Sequence, residues 1–139
     1  MCGIVGKFNL GKNRRYLDKN SVIDLGKAMD VQHHRGPDDS GVCGISDGRV
    51  YEGNTTDDFL RMNQSFEGLF GFNRLSIRDL SIKGHQPMIS EDGKIILLFN
   101  GEIYNDADLR NLVRGGIALE DIRIQKQFWF YMRSWGSIQ

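Results

Sequence analysis

The sequence predicts an α+β fold built on antiparallel sheet. Three observations predict it. Short apolar segments with strand character recur, and a tight-turn signal separates two of them. An amphipathic helical pattern follows the first strand, and a second lies after the last. Glycine is abundant and proline scarce, 17 against 2 in 139 residues, which suits a sheet-rich domain with tight turns.

Each element can be taken in order. Cys2 to Asn9 reads as a strand, with Ile4, Val5 and Phe8 apolar. Gly11 to Arg15 is a polar loop. A helix is expected from Ser21, where Ser21 and Asp24 have capping-box spacing. Val22, Leu25, Met29 and Ala28 lie on one stripe. The helix should stop before Arg35-Gly36-Pro37, because a residue preceding proline is disfavoured in helix. Gly41–Ser46 and Arg49–Glu52 form a strand pair around the Asp47-Gly48 turn. Asn54 to Ser65 is polar and reads as loop. Leu69 to Ile77 returns to strand, and Lys94 to Phe99 is an apolar strand ending at Asn100. A second helix is expected near Asn105 or Asp106, with Leu109, Leu112 and Val113 on its apolar side.

Length and charge bound the function. The chain allows one domain. Lysine plus arginine equals aspartate plus glutamate, 18 each, so no bulk charge draws the chain to nucleic acid or to an anionic membrane. No signal peptide and no apolar run of membrane-spanning length is visible, so a cytoplasmic protein is expected. Cys2 and Cys43 make no disulfide framework. His33, His34 and Cys43 match no zinc spacing, and no metal site is expected.

Chemistry begins at Cys2. Removal of Met1 would leave a thiol and a free α-amine on one residue. An α-amine titrates at about 7.7–8.0, so it can serve as the general base without a separate histidine. Taken alone, Cys2 reads first as an ordinary small residue opening a strand. Taken alone, Asn100-Gly101 is a turn and Arg74 a solvated strand arginine.

The ordered set of motifs changes this weighting. Met1-Cys2-Gly3-Ile4-Val5-Gly6 is followed by His34-Arg35-Gly36-Pro37-Asp38, Arg74-Leu75-Ser76-Ile77, Gly84-His85-Gln86-Pro87-Met88 and Asn100-Gly101-Glu102-Ile103-Tyr104-Asn105. The set resembles the class II glutamine amidotransferase domain of the glutamine-hydrolysing asparagine synthetase family, over residues 1–113. The resemblance implies a four-layer αββα sandwich of the N-terminal nucleophile hydrolase type, here incomplete. It implies glutamine hydrolysis to glutamate and ammonia through a thioester on Cys2. Asn100 and Gly101 would form the oxyanion hole, and Arg74 would clamp the substrate α-carboxylate. Glu102 would accept from the α-amino group, and Arg35 and Asp38 would support the nucleophile loop.

The sequence departs from the family in several places. Phe72 stands where many relatives carry histidine. From Arg123 to Met132 the chain lacks the family's aspartate-bearing motif, so residues 114–139 read as an atypical tail. Shifting the reading start to the third base of each codon turns Phe128-Trp129-Phe130-Tyr131 into Leu-Val-Leu and Trp135-Gly136 into Gly. The same shift permits Asp-Ser-Glu-Ala-Val ahead of them, so the chain is expected to be out of frame from somewhere between Val113 and Arg123 onward. No Ser-Gly-Gly-x-Asp-Ser nucleotide loop follows. The ammonia-accepting synthetase domain, with its ATP and magnesium, is therefore expected of the parent enzyme and absent here. The alternative reading is a catalytically inactive truncated fragment that keeps part of the fold.

Overall fold

A computed structural model describes residues 1–9, 16–62, 64–77, 80, 82–90, 92–101 and 104–105. The second helix expected near Asn105 and the tail from residue 114 lie outside the described residues. The chain divides into two compact units. One comprises Met1–Ser76 with His85–Asn100, and the other Ile77–Gly84 with Gly101–Gln139. The fold below is that of the first unit.

The observed architecture is α+β. Four strands, β1 (Gly3–Phe8), β2 (Asp39–Ser46), β3 (Arg49–Gly53) and β4 (Gly68–Arg74), form one sheet in the order β1-β4-β2-β3. Every neighbouring pair is antiparallel. β2 and β3 turn at Asp47-Gly48, where both residues have positive φ, 50° and 72°, the geometry of a two-residue hairpin. β4 is central and buried along nearly its whole length. It ends at Arg74, three residues short of the expected Ile77. A separate two-stranded ladder pairs β5 (Met88–Ile89) with β6 (Ile96–Leu97). The expected strand over Lys94–Phe99 thus shrinks to two residues. Lys94 and Ile95 instead donate their backbone N–H groups to the Ser90 hydroxyl, at 3.0 and 2.9 Å.

The helices correct two expectations. Helix α1 spans Lys19–Gln32, and its N-cap is Asp18 rather than Ser21. The Asp18 carboxylate accepts from Ser21 N at 3.0 Å and from the Ser21 hydroxyl at 3.2 Å. A carboxylate is a strong cap and also suits the positive end of the helix dipole. Asp24, freed from capping, pairs with Lys7 at 3.2 Å on the surface. The stretch expected to be loop, Asn54–Ser65, contains a second helix, α2 (Thr56–Arg61). Its start is a Thr55/Asp58 capping box, in which Asp58 Oδ2 accepts from Asn54 N at 3.1 Å and Thr55 N at 3.0 Å. Thr-x-x-Asp has the same spacing that was read at Ser21. The apolar residue it delivers is Phe59, 2% exposed.

Both helices cover one face of the sheet. Val22, Leu25 and Met29 of α1 and Phe59 of α2 pack with Leu17, Val42, Phe66 and Leu69 into the core. Phe59 and Phe66 meet with ring centroids 5.2 Å apart. Burying each large apolar side chain contributes about 1.5–3 kcal/mol. Side-chain alternation puts Ile4, Phe8, Phe70 and Phe72 on the opposite face, where Phe8 and Phe70 stack with centroids 5.8 Å apart. Segment 85–86 also lies on that face. A side chain at Gly41 would strike the Gln86 carbonyl oxygen and the His85 ring. His85 Nδ1 lies 2.8 Å from Asp39 Oδ2 and ties this segment to β2.

Candidate active site

Cys2 stands immediately before β1. Gly3 pairs with Asn73 of β4, so continuing the register puts Cys2 opposite Arg74 and beside Leu75. The Leu75 N–H donates to Cys2 Sγ at 3.3 Å, and the Leu75 carbonyl lies 3.8 Å from the same sulfur.

The main chain of Cys2 is held as closely. Asn100, 98 residues away, accepts the Cys2 N–H on Oδ1 at 3.1 Å. It donates Nδ2–H to the Cys2 carbonyl at 3.2 Å. These partners decide the orientation of the amide, because an N–H only donates and a carbonyl only accepts. Arg35 Nε donates to the same carbonyl at 3.4 Å. Met1 is 74% exposed and takes no part in these bonds.

The loop Gly36-Pro37-Asp38 clamps the far side of the site. Asp38 N donates to the Arg74 carbonyl at 3.1 Å, and the Asp38 carboxylate accepts from Ser76 N at 2.7 Å. Leu75 lies between those two anchors, so Asp38 fixes the peptide that meets the sulfur. Gly36 packs so closely on the Asn73 carbonyl that any Cβ there would collide with it. Asn73 in turn donates to the Met29 carbonyl at 2.7 Å. That carbonyl belongs to the last turn of α1. The bond joins the end of α1, and hence the Arg35–Asp38 loop, to β4.

Arg74 is buried at 6% exposure, which removes the reading of a solvated strand arginine. The structure therefore brings Cys2, Arg35, Asp38, Arg74 and Asn100 together. Gly101 is exposed and falls in the other unit, and Glu102 lies outside the described residues. Sequence reasoning missed the Leu75 peptide, Asn73 and Gln86. The Leu75 peptide carries no side-chain signal, whereas Gln86 was visible beside His85 as a polar side chain within the Gly84–Met88 motif.

The other cysteine and the histidines are elsewhere. Cys43 is fully buried in β2, and burial, with the nearby Glu52 carboxylate, pushes its thiol up to about 12. His34 Nδ1 bonds the Val31 carbonyl at 3.0 Å. Among the described residues no group of three His, Cys, Asp or Glu side chains gathers as a metal site would require. Among them, too, no helix is long and apolar enough to cross a membrane.

Residues 1–119 match the glutamine amidotransferase domain family. The chain belongs to that family. The amidotransferase domain is similar to the N-terminal part of asparagine synthetases. It is 34% identical to the putative asparagine synthetase [glutamine-hydrolyzing] 2 of Methanocaldococcus jannaschii, over 79% of this chain and 20% of that protein. It is 37% identical to asparagine synthetase [glutamine-hydrolyzing] 1 of Bacillus subtilis, over 79% of this chain and 14% of that protein. It is 32% identical to the probable asparagine synthetase [glutamine-hydrolyzing] of Schizosaccharomyces pombe, over 83% of this chain and 16% of that protein. The amidotransferase chain thus spans a fifth or less of the length of these relatives. No solved structure matches it.

Proposed function

We propose that this amidotransferase domain hydrolyses glutamine to glutamate and ammonia, with Cys2 as an N-terminal nucleophile after loss of Met1. The observation that carries the reading is the grip on Cys2. Leu75 N–H is on its sulfur and Asn100 is on both of its main-chain polar groups.

The mechanism follows from these atoms. With Met1 gone, Cys2 N is an amine that still donates to Asn100 Oδ1 while its lone pair takes the thiol proton. The thiolate attacks the side-chain amide carbon of glutamine. The oxyanion that forms is met by Asn100 Nδ2, which carries a second N–H, and by the Gly101 N–H. The ammonium of Cys2 returns its proton to the departing nitrogen, and ammonia leaves. Water activated by the same amine cleaves the thioester and releases glutamate. Arg74 pairs bidentately with the α-carboxylate, where lysine would offer only a point charge. Glu102 receives the α-ammonium.

The sheet face carrying Phe70 and Phe72 is where a second sheet belongs in a four-layer αββα sandwich. The β5–β6 segment, anchored on that face at Gly41, supports this reading. Residues 1–113 form the amidotransferase part and 114–139 an atypical tail, read out of frame from somewhere between Val113 and Arg123 onward, which sequencing of the gene tests directly. The parent enzyme passes its ammonia to a synthetase domain that uses ATP and magnesium.

The test is glutamate release from L-glutamine by the purified chain. Mass spectrometry first establishes that Met1 has been removed. Release that vanishes in Cys2→Ala supports the proposal. A folded, Met1-free chain that releases no glutamate sinks it and favours the inactive-fragment reading, which the missing aspartate in Arg123–Met132 also supports.

A further inference from the structure

We propose that Gln86 is the positioning residue that holds Asn100 against Cys2. The kinetic part of this inference rests on the glutaminase reading, and the geometry does not.

The β5–β6 register pairs Met88 with Leu97 and Ile89 with Ile96. Ser90 N donates to the Ile95 carbonyl at 3.0 Å. Hydrogen-bonded pairs alternate along an antiparallel ladder, so after 90/95 and 88/97 the next bonded station is 86/99. The strands themselves stop at Met88 and Leu97. The station is closed by a side chain instead. Gln86 Oε1 accepts the Phe99 N–H at 2.6 Å, and Gln86 Nε2 donates to the Phe99 carbonyl at 3.2 Å. One primary amide supplies both the acceptor and the donor that a strand neighbour would offer.

Gln86 is 1% exposed. A buried amide is unfavourable unless both its ends are bonded, and here both are bonded to one residue. The Gln86 carbonyl lies against Gly41 of β2, so the side chain is braced on the main sheet. The next residue after Phe99 is Asn100, whose amide holds Cys2 N and O. A continuous line therefore runs from β2 through Gln86 and Phe99 to Asn100 and the nucleophile. His85, bonded to Asp39, keeps the segment on β2 when the Gln86 side chain is altered.

The test is a double-mutant cycle in the full, Met1-processed chain with Gln86→Leu, Gln86→Glu, Asn100→Ala and Gln86→Leu/Asn100→Ala. Two readouts are taken: kcat and KM for glutamine, and the rate of Cys2 alkylation by iodoacetamide. If Gln86 acts through Asn100, Gln86→Leu lowers kcat about tenfold with KM nearly unchanged. Gln86→Glu, which keeps the acceptor and loses the donor, falls between it and the parent. In the Asn100→Ala background the added effect of Gln86→Leu shrinks below about twofold, because coupled residues are not additive. The alkylation rate follows the same pattern. Effects that multiply in both readouts overturn the proposal, as does a Gln86→Leu chain with changed melting temperature and KM but unchanged kcat. If no variant and no parent chain releases glutamate, the glutaminase reading fails by itself, and the alkylation cycle still decides the role of Gln86.

Discussion

The N-terminus of α2 and the start of β1 are held in the same manner, by one side chain gripping main-chain groups. They differ in reach. Asp58 bonds residues three and four positions away, whereas Asn100 bonds a residue 98 positions away. Asp58 can form its bonds as soon as its own turn forms. Asn100 meets Cys2 in a structure where β1 pairs with β4, Asp38 bonds residues 74 and 76, and Gln86 closes on Phe99. A short-range grip stabilises one element. The long-range grip assembles a nucleophile, and every intermediate part of the fold bears on it.

Cutting the long-range region at its end has the largest expected effect. Cys2→Ala should abolish glutamate release while leaving the melting temperature nearly unchanged, since the half-buried thiol contributes little packing. Assays run beside thermal melts check both halves. Residual turnover near the parent rate would remove Cys2 from the chemistry.

Asn100→Ala comes next, with kcat down about 10²–10³, the usual result of losing one oxyanion donor. Steady-state kinetics would expose a purely structural role as a loss in KM alone.

Gly36→Ala tests the clamp between the two ends of the site. The added methyl collides with the Asn73 carbonyl, and overpacking of this kind costs about 1–3 kcal/mol. Denaturant unfolding should show that loss, together with lower activity from a displaced Leu75 peptide. A chain of parental stability and activity would show that the loop does not clamp.

The two cysteines sharpen the contrast further. Iodoacetamide near pH 8 should modify Cys2 and spare Cys43 until the chain unfolds, because Cys43 is fully buried with its thiol raised to about 12. Peptide mapping reads this directly. The raised thiol also has a stability consequence. Between its ordinary 9.0 and about 12, the unfolded chain loses a proton that the folded chain keeps. Stability present below pH 9 is therefore lost as pH rises through that window, and Cys43→Ala should flatten the alkaline slope.

The smallest effect belongs to the short-range grips. The Thr55 backbone N–H holds the Asp58 carboxyl below its ordinary 3.8, and the Ser21 backbone N–H does the same for Asp18. Each contributes stability that is present above 3.8 and is lost as pH falls through the lowered value. Asp18→Ala and Asp58→Ala should each lower the melting temperature slightly at neutral pH and lessen its acid dependence, with kcat unchanged. A marked fall in kcat would mean that the caps also shape the nucleophile.

The sequence by itself determined the class of the fold, the β2–β3 hairpin with its Asp47-Gly48 turn, the apolar stripe of α1 and the family. These depend on period, turn chemistry and motif order, all of which are written over a few residues at a time. It also held the α2 cap, legible in Thr55-x-x-Asp58 but hidden inside a polar stretch. The Asp18 cap of α1 and the Ser90 bonds that shorten β6 are equally local, within three to five residues. Tertiary structure decided that Arg74 is buried. It also decided that the Leu75 peptide faces the Cys2 sulfur and that the Gln86 amide completes a ladder its backbone does not. The physical reason is common to all of these. Each depends on which groups from distant parts of the chain meet at the same place, and no local pattern of side chains records that meeting.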